Sequence, residues 1–135
     1  MALTAEQAEY LKSHLQAILG TGRRDGSPQL STINYLYDGS HVYISVTSER
    51  AKWRNARRQP RVALLVPDGH KQLVIYGTVE GIPGGKPRND AIRAIRERMG
   101  NPLPPEMTDE DFGRRLDELK RVVLKITPER AFLND

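Results

Sequence analysis

The chain has no cysteine, and only 6% of its residues are aromatic. Without thiols there is no disulfide framework, no thiolate metal site and no cysteine nucleophile, a composition that fits a reducing compartment. Long apolar runs are missing as well, since no stretch approaches the roughly 18 to 20 residues a membrane span needs. The N-terminal MALTAEQAEYLK carries an acid by its sixth residue and has neither a basic start nor an apolar run, so it does not read as a targeting segment. His14, His41 and His70 stand alone, with no partner at i+3 or i+4, which argues against a dedicated metal site. Neither G-x-S-x-G nor G-x-x-x-x-G-K occurs, and hydrolase and nucleotide triphosphatase readings therefore have no local support. The expectation is a soluble, cytoplasmic protein whose redox chemistry, if it has any, comes from an organic cofactor.

What is present suits one compact domain over 1–135. At 135 residues, 38% hydrophobic and 28% charged, the chain can bury a core without staples. Its charge is uneven. Arg50, Lys52, Arg54, Arg57, Arg58 and Arg61 fall within twelve residues that hold no acid, so a net +4 contains a +6 stretch and the other 123 residues carry −2. Such confined basicity points to an anion-binding spot more than to a nucleic-acid footprint, which usually spreads over a face.

The pattern predicts mainly β structure with flanking helices. Thr4 and Gln7 form a capping box for a helix to about Ser13, after which the chain turns to strand and reaches the turn Asp25-Gly26-Ser27-Pro28. Gln29 to Tyr37 alternates as one strand, and Asp38-Gly39 makes a hairpin with His41 to Val46, whose Val42, Ile44 and Val46 face a core. Arg61 to Val66 and Gln72 to Ile82 are two more strands, joined at Pro67-Asp68-Gly69 and closed by Pro83-Gly84-Gly85. The glycines of Gly81 to Pro87 read as a plain turn. A helical segment at about 87–120 follows, with Ala91, Ile92, Ile95 and Met99 on one face and Phe112, Leu116 and Leu119 on another; Val122 to Ile126 is the last strand and Thr127 to Arg130 closes the chain.

The strongest chemical candidate is Thr47-Ser48-Glu49-Arg50-Ala51-Lys52. Ser48 is a natural N-cap directly after a strand, and a helix N-terminus offers free N–H groups and a positive dipole end to a phosphate. Arg50 brings a planar fork and Lys52 a compact charge. At about 100° per residue, Arg54, Arg57 and Arg58 lie within about 80° of Arg50 and Lys52 about 200° away, so the segment can serve two surfaces. A solvated basic helix with a capping serine fits the same spacing. Trp53 can stack on a ring, though packing is the commoner role for tryptophan on so short a helix.

The ordered run Arg24-Asp25-Gly26-Ser27-Pro28, Tyr37-Asp38-Gly39, Tyr43-Ile44-Ser45-Val46-Thr47, Arg50-Ala51-Lys52-Trp53-Arg54-Asn55 and Pro60-Arg61-Val62 resembles the pyridoxamine 5′-phosphate oxidase-like split-barrel superfamily, and most nearly its flavin/deazaflavin oxidoreductase branch, whose members use coenzyme F-420. The resemblance implies a six-stranded antiparallel split β-barrel of the FMN-binding type and a homodimer with two cofactor clefts at the interface. It implies an oxidoreductase that passes a hydride from reduced deazaflavin to an unsaturated small-molecule electron acceptor, with FMN as the alternative cofactor and a non-catalytic flavin or deazaflavin binder as the alternative role. The cofactor-binding set it implies is Thr47, Ser48, Arg50 and Lys52 at the phosphate, Gln29, Leu30, Ser31 and Thr32 along the ring system, Ser45 and Ala51 in the same set, Arg54 or Asn55 at the phosphate or an acidic tail, and Gln72 and Tyr76 reaching over from the partner subunit. No side chain is assigned as a catalytic acid or base, and no metal. The C-terminal Ile126 to Phe132 lacks the arginine and histidine pattern of pyridoxamine phosphate oxidases proper, which puts that substrate in doubt.

Overall fold

The computed structural model describes residues 3–134. In chain order it contains α1 (Ala5–Lys12), β1 (Gln16–Gly22), β2 (Pro28–Asn34), β3 (Leu36–Tyr37), β4 (Val42–Thr47), α2 (Ala51–Arg58), β5 (Arg61–Asp68), β6 (Lys71–Ile82), α3 (Gly85–Arg98), α4 (Asp109–Glu118) and β7 (Arg121–Asn134). The strands form one sheet in the order β2-β1-β5-β6-β7-β4-β3, and every pairing is antiparallel.

Seven strands replace the expected six because the segment Gln29 to Tyr37 is not one strand. Tyr35 divides it into β2, which pairs with β1, and β3, which pairs with β4 at the opposite end of the sheet order. One residue thus joins the two ends of the sheet, and the sheet must curl until they meet. Tyr35 is fully buried; its N–H donates to the Leu15 carbonyl and its hydroxyl to the Leu11 carbonyl at 2.6 Å. Burial pushes its pKa up, which keeps the hydroxyl neutral and a donor. Truncating a buried ring of this size typically costs about 3 to 5 kcal/mol.

Inside the curl, Ala17 and Leu19 of β1, Ile33 of β2, Ile44 and Val46 of β4, Leu64 and Val66 of β5, Leu73 and Ile75 of β6, and Leu124 and Ile126 of β7 make the main core. They follow the period-2 alternation of half-buried strands. Thr4 and Gln7 cap α1 reciprocally as expected, and α1 stops at Ser13. Four boundaries differ from the sequence reading. The hairpin strand is Val42–Thr47. β5 runs to Asp68, so the turn is Gly69-His70, with Gly69 at φ +63°. α3 begins at Gly85, because proline is tolerated in a first helical turn, so the glycine-rich stretch is a helix start rather than a plain turn. The last strand reaches Asn134, past Pro128, because a bulge opposite Tyr76 and Gly77 absorbs the proline without a ladder bond. Gly77 is needed there, since a Cβ would strike the Thr127 carbonyl.

α3 and α4 cover the outer face of β7 and β4. Ala91, Ile92, Phe112, Leu116 and Val123 form a second, smaller core with Tyr43 and Ile82 beside it. Arg88 ties it together: 2% exposed, it donates to Asn89 Oδ1 at 2.7 Å, the Arg121 carbonyl at 3.0 Å, the Gly113 carbonyl at 3.2 Å and Asp117 at 2.9 Å. A buried guanidinium this fully bonded is tolerable; one without partners would not be.

His14 latches α1 to the end of β5. Its ring stacks on Tyr10, with Nδ1 2.7 Å from the Tyr10 carbonyl and Nε2 2.9 Å from Asp68 Oδ2. Burial alone would lower its pKa, but the Tyr10 carbonyl and the Asp68 carboxylate outweigh it and raise the value above 6.5. Only the imidazolium donates from both nitrogens at once. The latch should therefore contribute stability fully below about pH 6.5 and lose it as pH rises through the raised value. Urea unfolding of wild type and His14→Gln should show a larger difference at pH 5.5 than at pH 8.5. Equal differences at the two pH values would mean the ring is not charged in the fold.

Candidate functional site

A cleft of about 650 Å³ opens where β2 and β4 part company. β3 pairs with β4 at Leu36↔Tyr43 and Tyr37↔Val42. Carried two and four residues further, that register would set Asn34 opposite Ser45 and Thr32 opposite Thr47. Past Tyr35, however, the chain belongs to β1, so the ladder stops and these residues become two lips of a gap. Thr32, Ile33 and Asn34 line one lip and Ser45, Val46 and Thr47 the other, with Arg121 of β7 paired beside Thr47. Across from the lips, α3 contributes Ile92, Ile95 and Arg96 and its C-cap Met99 continues the stripe at i, i+3, i+4 and i+7, while Asn101, Leu116 and Leu119 complete the wall.

Four cations line this cleft, Arg50, Lys52, Arg96 and Arg121, and no acid does. None of the four is in an ion pair among the described residues. The Lys52 pKa is lowered, mainly by burial and further by the like charges of Arg50 and Arg121. A concave site with one sign of charge attracts an anion and holds it without a competing carboxylate.

The start of α2 differs from the sequence reading in one respect. Ser48 is not the N-cap, because its N–H donates to the Lys120 carbonyl at 2.9 Å and so extends the β4–β7 edge. The turn then runs through Glu49, held by an ion pair to Lys120, and Arg50 takes the cap position in an extended conformation with no side-chain cap bond. Because Arg50 is not helical, its side chain reaches the cleft together with Lys52 rather than the arginines the wheel grouped it with. The first-turn N–H groups from Ala51 to Trp53 have no intrahelical acceptor.

The helix does serve two surfaces. Arg54, Arg57 and Arg58 meet Arg24 and Trp53 around a separate surface hollow. Trp53 itself is buried, packed on Gly81 with Arg57 over its ring at 5.0 Å, which is the packing role. Asn55 is buried and bonded to Thr21 and Arg58, so it anchors α2 to β1. Of the remaining candidates, Gln29 bonds to Thr21 and its own neighbour's carbonyl, Ser31 turns inward with an unpartnered Oγ, and Leu30 and Tyr76 sit on the outer sheet face. Gln72 lies at the far end of β6 opposite Asn134. The cleft therefore brings together Thr32, Ser45, Thr47, Arg50 and Lys52, while Ser48 and Ala51 are chain neighbours of lining residues and do not themselves line it. The tyrosine hydroxyls of Tyr35 and Tyr37 are tied to backbone carbonyls, those of Leu11 and Gly39.

Arg96 and Arg121 were missed by sequence reasoning. Arg121 precedes the last strand and only its pairing with Thr47 brings it to the site. For Arg96 a signal existed: it interrupts the apolar stripe of Ile92, Ile95 and Met99.

A family model described as pyridoxamine 5′-phosphate oxidase matches residues 3–135. Among solved structures, a conserved hypothetical protein from Mycobacterium tuberculosis is 25% identical with a TM-score of 0.81, covering 100% of this chain and 86% of its own. An F-420 reductase is also 25% identical, with a TM-score of 0.74 over 96% of this chain and 98% of its own. The haem storage protein HutZ of Vibrio cholerae, at 18% identity and a TM-score of 0.67 over 99% of this chain and 96% of its own, shares the fold.

The electrostatics of the cleft can be read directly from Lys52. Its amine should titrate below the ordinary lysine value of 10.5. Arg121→Gln, by removing one like charge, should move the titration upward in an NMR experiment on labelled lysine. No response to Arg121→Gln would mean the two cations do not share the site.

Proposed function

The chain belongs to the pyridoxamine 5′-phosphate oxidase family, and from that premise we propose that it is a coenzyme F-420-dependent oxidoreductase that reduces an unsaturated small-molecule acceptor. The observation that carries the reading is the gathering of Arg50, Lys52 and Arg121, with no acid on the lining, at the split of the barrel. FMN would bring a single phosphate, whereas a deazaflavin with a phosphodiester and a carboxylate tail can use more of that charge. The likeness to an F-420 reductase over nearly the whole of both chains supports the same choice. No histidine lines the cleft among the described residues, so the haem of the storage protein would find no imidazole there.

The residues fit such a group. Thr47 and Ser48 offer hydroxyls, Arg50 and Lys52 offer charge, and the Ala51 N–H offers a first-turn donor to the phosphate. The strand from Gln29 to Thr32 would lie along the ring through the open edge of β2, with Ser45 on the stretch of β4 that the two-residue β3 does not reach. Arg54, beside Arg24 and Arg57 on the outer side of α2, suits an acidic tail better than the phosphate. Asn55 supports the site by holding α2 on β1. A deazaflavin bound in its reduced form would supply a hydride for one carbon of the acceptor's double bond, with the balancing proton for the other coming from solvent. The protein's part is position and exclusion of water. No side chain is needed as the acid.

We also propose a homodimer. The outer face of β2, β1, β5, β6 and β7 carries two cross-strand rows, Leu30-Gly20-Ala63-Tyr76-Arg130 and Thr32-Ile18-Leu65-Val74-Phe132. Leu30 is 66%, Tyr76 43% and Phe132 48% exposed, a large apolar area for a monomer to leave in water. Thr32 belongs to both this face and the cleft, so a second copy seated here would stand at the cleft mouth. There Tyr76, and Gln72 near it, can add to the partner's cofactor site.

Equilibrium titration with F-420 and with FMN tests the function. F-420 should bind more tightly, and Lys52→Ala and Arg50→Ala should each weaken it about tenfold or more, the loss of one charge-assisted contact of about 1.5 to 3 kcal/mol. If neither cofactor binds at micromolar concentration, the reading fails. For the dimer, Tyr76→Glu should shift the sedimentation mass from two chains toward one; a wild-type protein that sediments as a monomer overturns it.

A further inference from the structure

The helix α3 carries four arginines, and the fold employs three. Arg88 is the buried tie between α3, α4 and β7. Arg93 pairs with Asp109 and Asp90 and lies over Phe112. Arg98 donates to the carbonyls of Lys12, the last residue of α1, and of His14 just after it. Arg96 has no side-chain hydrogen bond and no ion pair among the described residues, and its Nε is buried without a partner. It lies in the stripe of Ile92, Ile95 and Met99 that faces the cleft.

Arg96 is half-buried, and its Nε, like that of Arg98, is shut from solvent without a protein partner, a cost that a bound ligand can offset. It also stands on a different wall from the phosphate end: Arg50, Lys52 and Arg121 gather about Thr47 on the strand lip, whereas Arg96 belongs to the helical wall. We propose that this wall is the acceptor site and that Arg96 grips an oxyanion of the acceptor, which is then an amphipathic molecule with an apolar body and a carboxylate. The planar fork of arginine matches a carboxylate with two parallel N–H···O bonds, and Ile92, Ile95 and Met99 take the apolar body. Asn101 beside it can add a donor. That this ligand is the hydride acceptor rests on the oxidoreductase reading; that the wall binds a carboxylate does not.

The test uses trans-cinnamate and its neutral isostere cinnamamide as probes in calorimetry, on the cofactor-free protein and on protein saturated with oxidised F-420. Wild type should prefer cinnamate. Arg96→Gln should weaken cinnamate about tenfold or more while changing cinnamamide less than about twofold, as expected for the loss of a charge-assisted bond. Arg96→Lys should restore only part of the affinity, because an ammonium lacks the fork. Arg114→Gln, on the exposed face of α4, serves as the control that leaves both probes unchanged. The proposal is overturned if cinnamate does not bind at millimolar concentration, if Arg96→Gln leaves it unchanged, or if both probes weaken equally. Should F-420 fail to bind while Arg96-dependent cinnamate binding persists in the cofactor-free protein, the oxidoreductase reading falls and the carboxylate site stands. Should F-420 bind without any preference for cinnamate, the reverse holds.

Discussion

The passage of the chain through Tyr35 is the constraint on which the rest depends. β2 and β3 lie at opposite ends of the sheet order, yet a single residue connects them. A right-handed twist curls a seven-stranded sheet, but it does not dictate where the ends meet. Tyr35 does, by burying its ring in the core and anchoring its hydroxyl to the end of α1. The same residue stops the β3–β4 ladder, so closure and opening arise at one point. The barrel is closed at Leu36 and Tyr37 and split from Asn34 onward, and the split is the cleft.

Once the gap exists, its charge follows from what borders it. β4 ends at Thr47, and the turn after it delivers Arg50 and Lys52. β7 begins at Arg121, opposite Thr47, because the antiparallel register requires it. Three cations thus converge where two strands and one helix begin or end, and with no acid on the lining each raises the cost of charging the others. Lys52 registers this in its lowered pKa, to which burial contributes most. Such a site is less stable in isolation than a neutralised one, and an incoming anion offsets both the lost hydration and the repulsion. The binding energy of the anion is in part this relief.

Much of this was legible in the sequence. The Thr4–Gln7 box, the Asp38-Gly39 hairpin, the inward faces of Val42, Ile44 and Val46, and the basic segment each follow from local chemistry that the fold keeps. The break at Tyr35 was not, because the alternation of Ser31, Ile33, Tyr35 and Tyr37 against Leu30, Thr32, Asn34 and Leu36 runs through it without interruption. Alternation reports which face is buried and carries no information about which strand is the neighbour. Ser48 misled for a related reason. Its hydroxyl suits an N-cap, but the β4–β7 edge extends one residue further and takes its N–H, so the cap moved to Arg50. Arg121 could not be found at all without the register that pairs it to Thr47.

The helical segment shows how a second packing unit turns an edge gap into an enclosed site. The small core of Ala91, Ile92, Phe112, Leu116 and Val123 touches the main sheet through β7 and β4, and Val123 is its one fully buried strand member among the described residues. Apolar contact alone would leave α3 and α4 free to slide, since dispersion has little directional preference. Arg88 removes that freedom because its four bonds point to fixed carbonyl and carboxylate oxygens on α3, α4 and β7. One of them holds the backbone of Arg121. The residue that orients the wall therefore also holds the start of β7, so one buried side chain acts on both the helical stripe and the strand lip. A ligand that spans the cleft needs both held, and here hydrogen-bond direction holds them where hydrophobic packing would not.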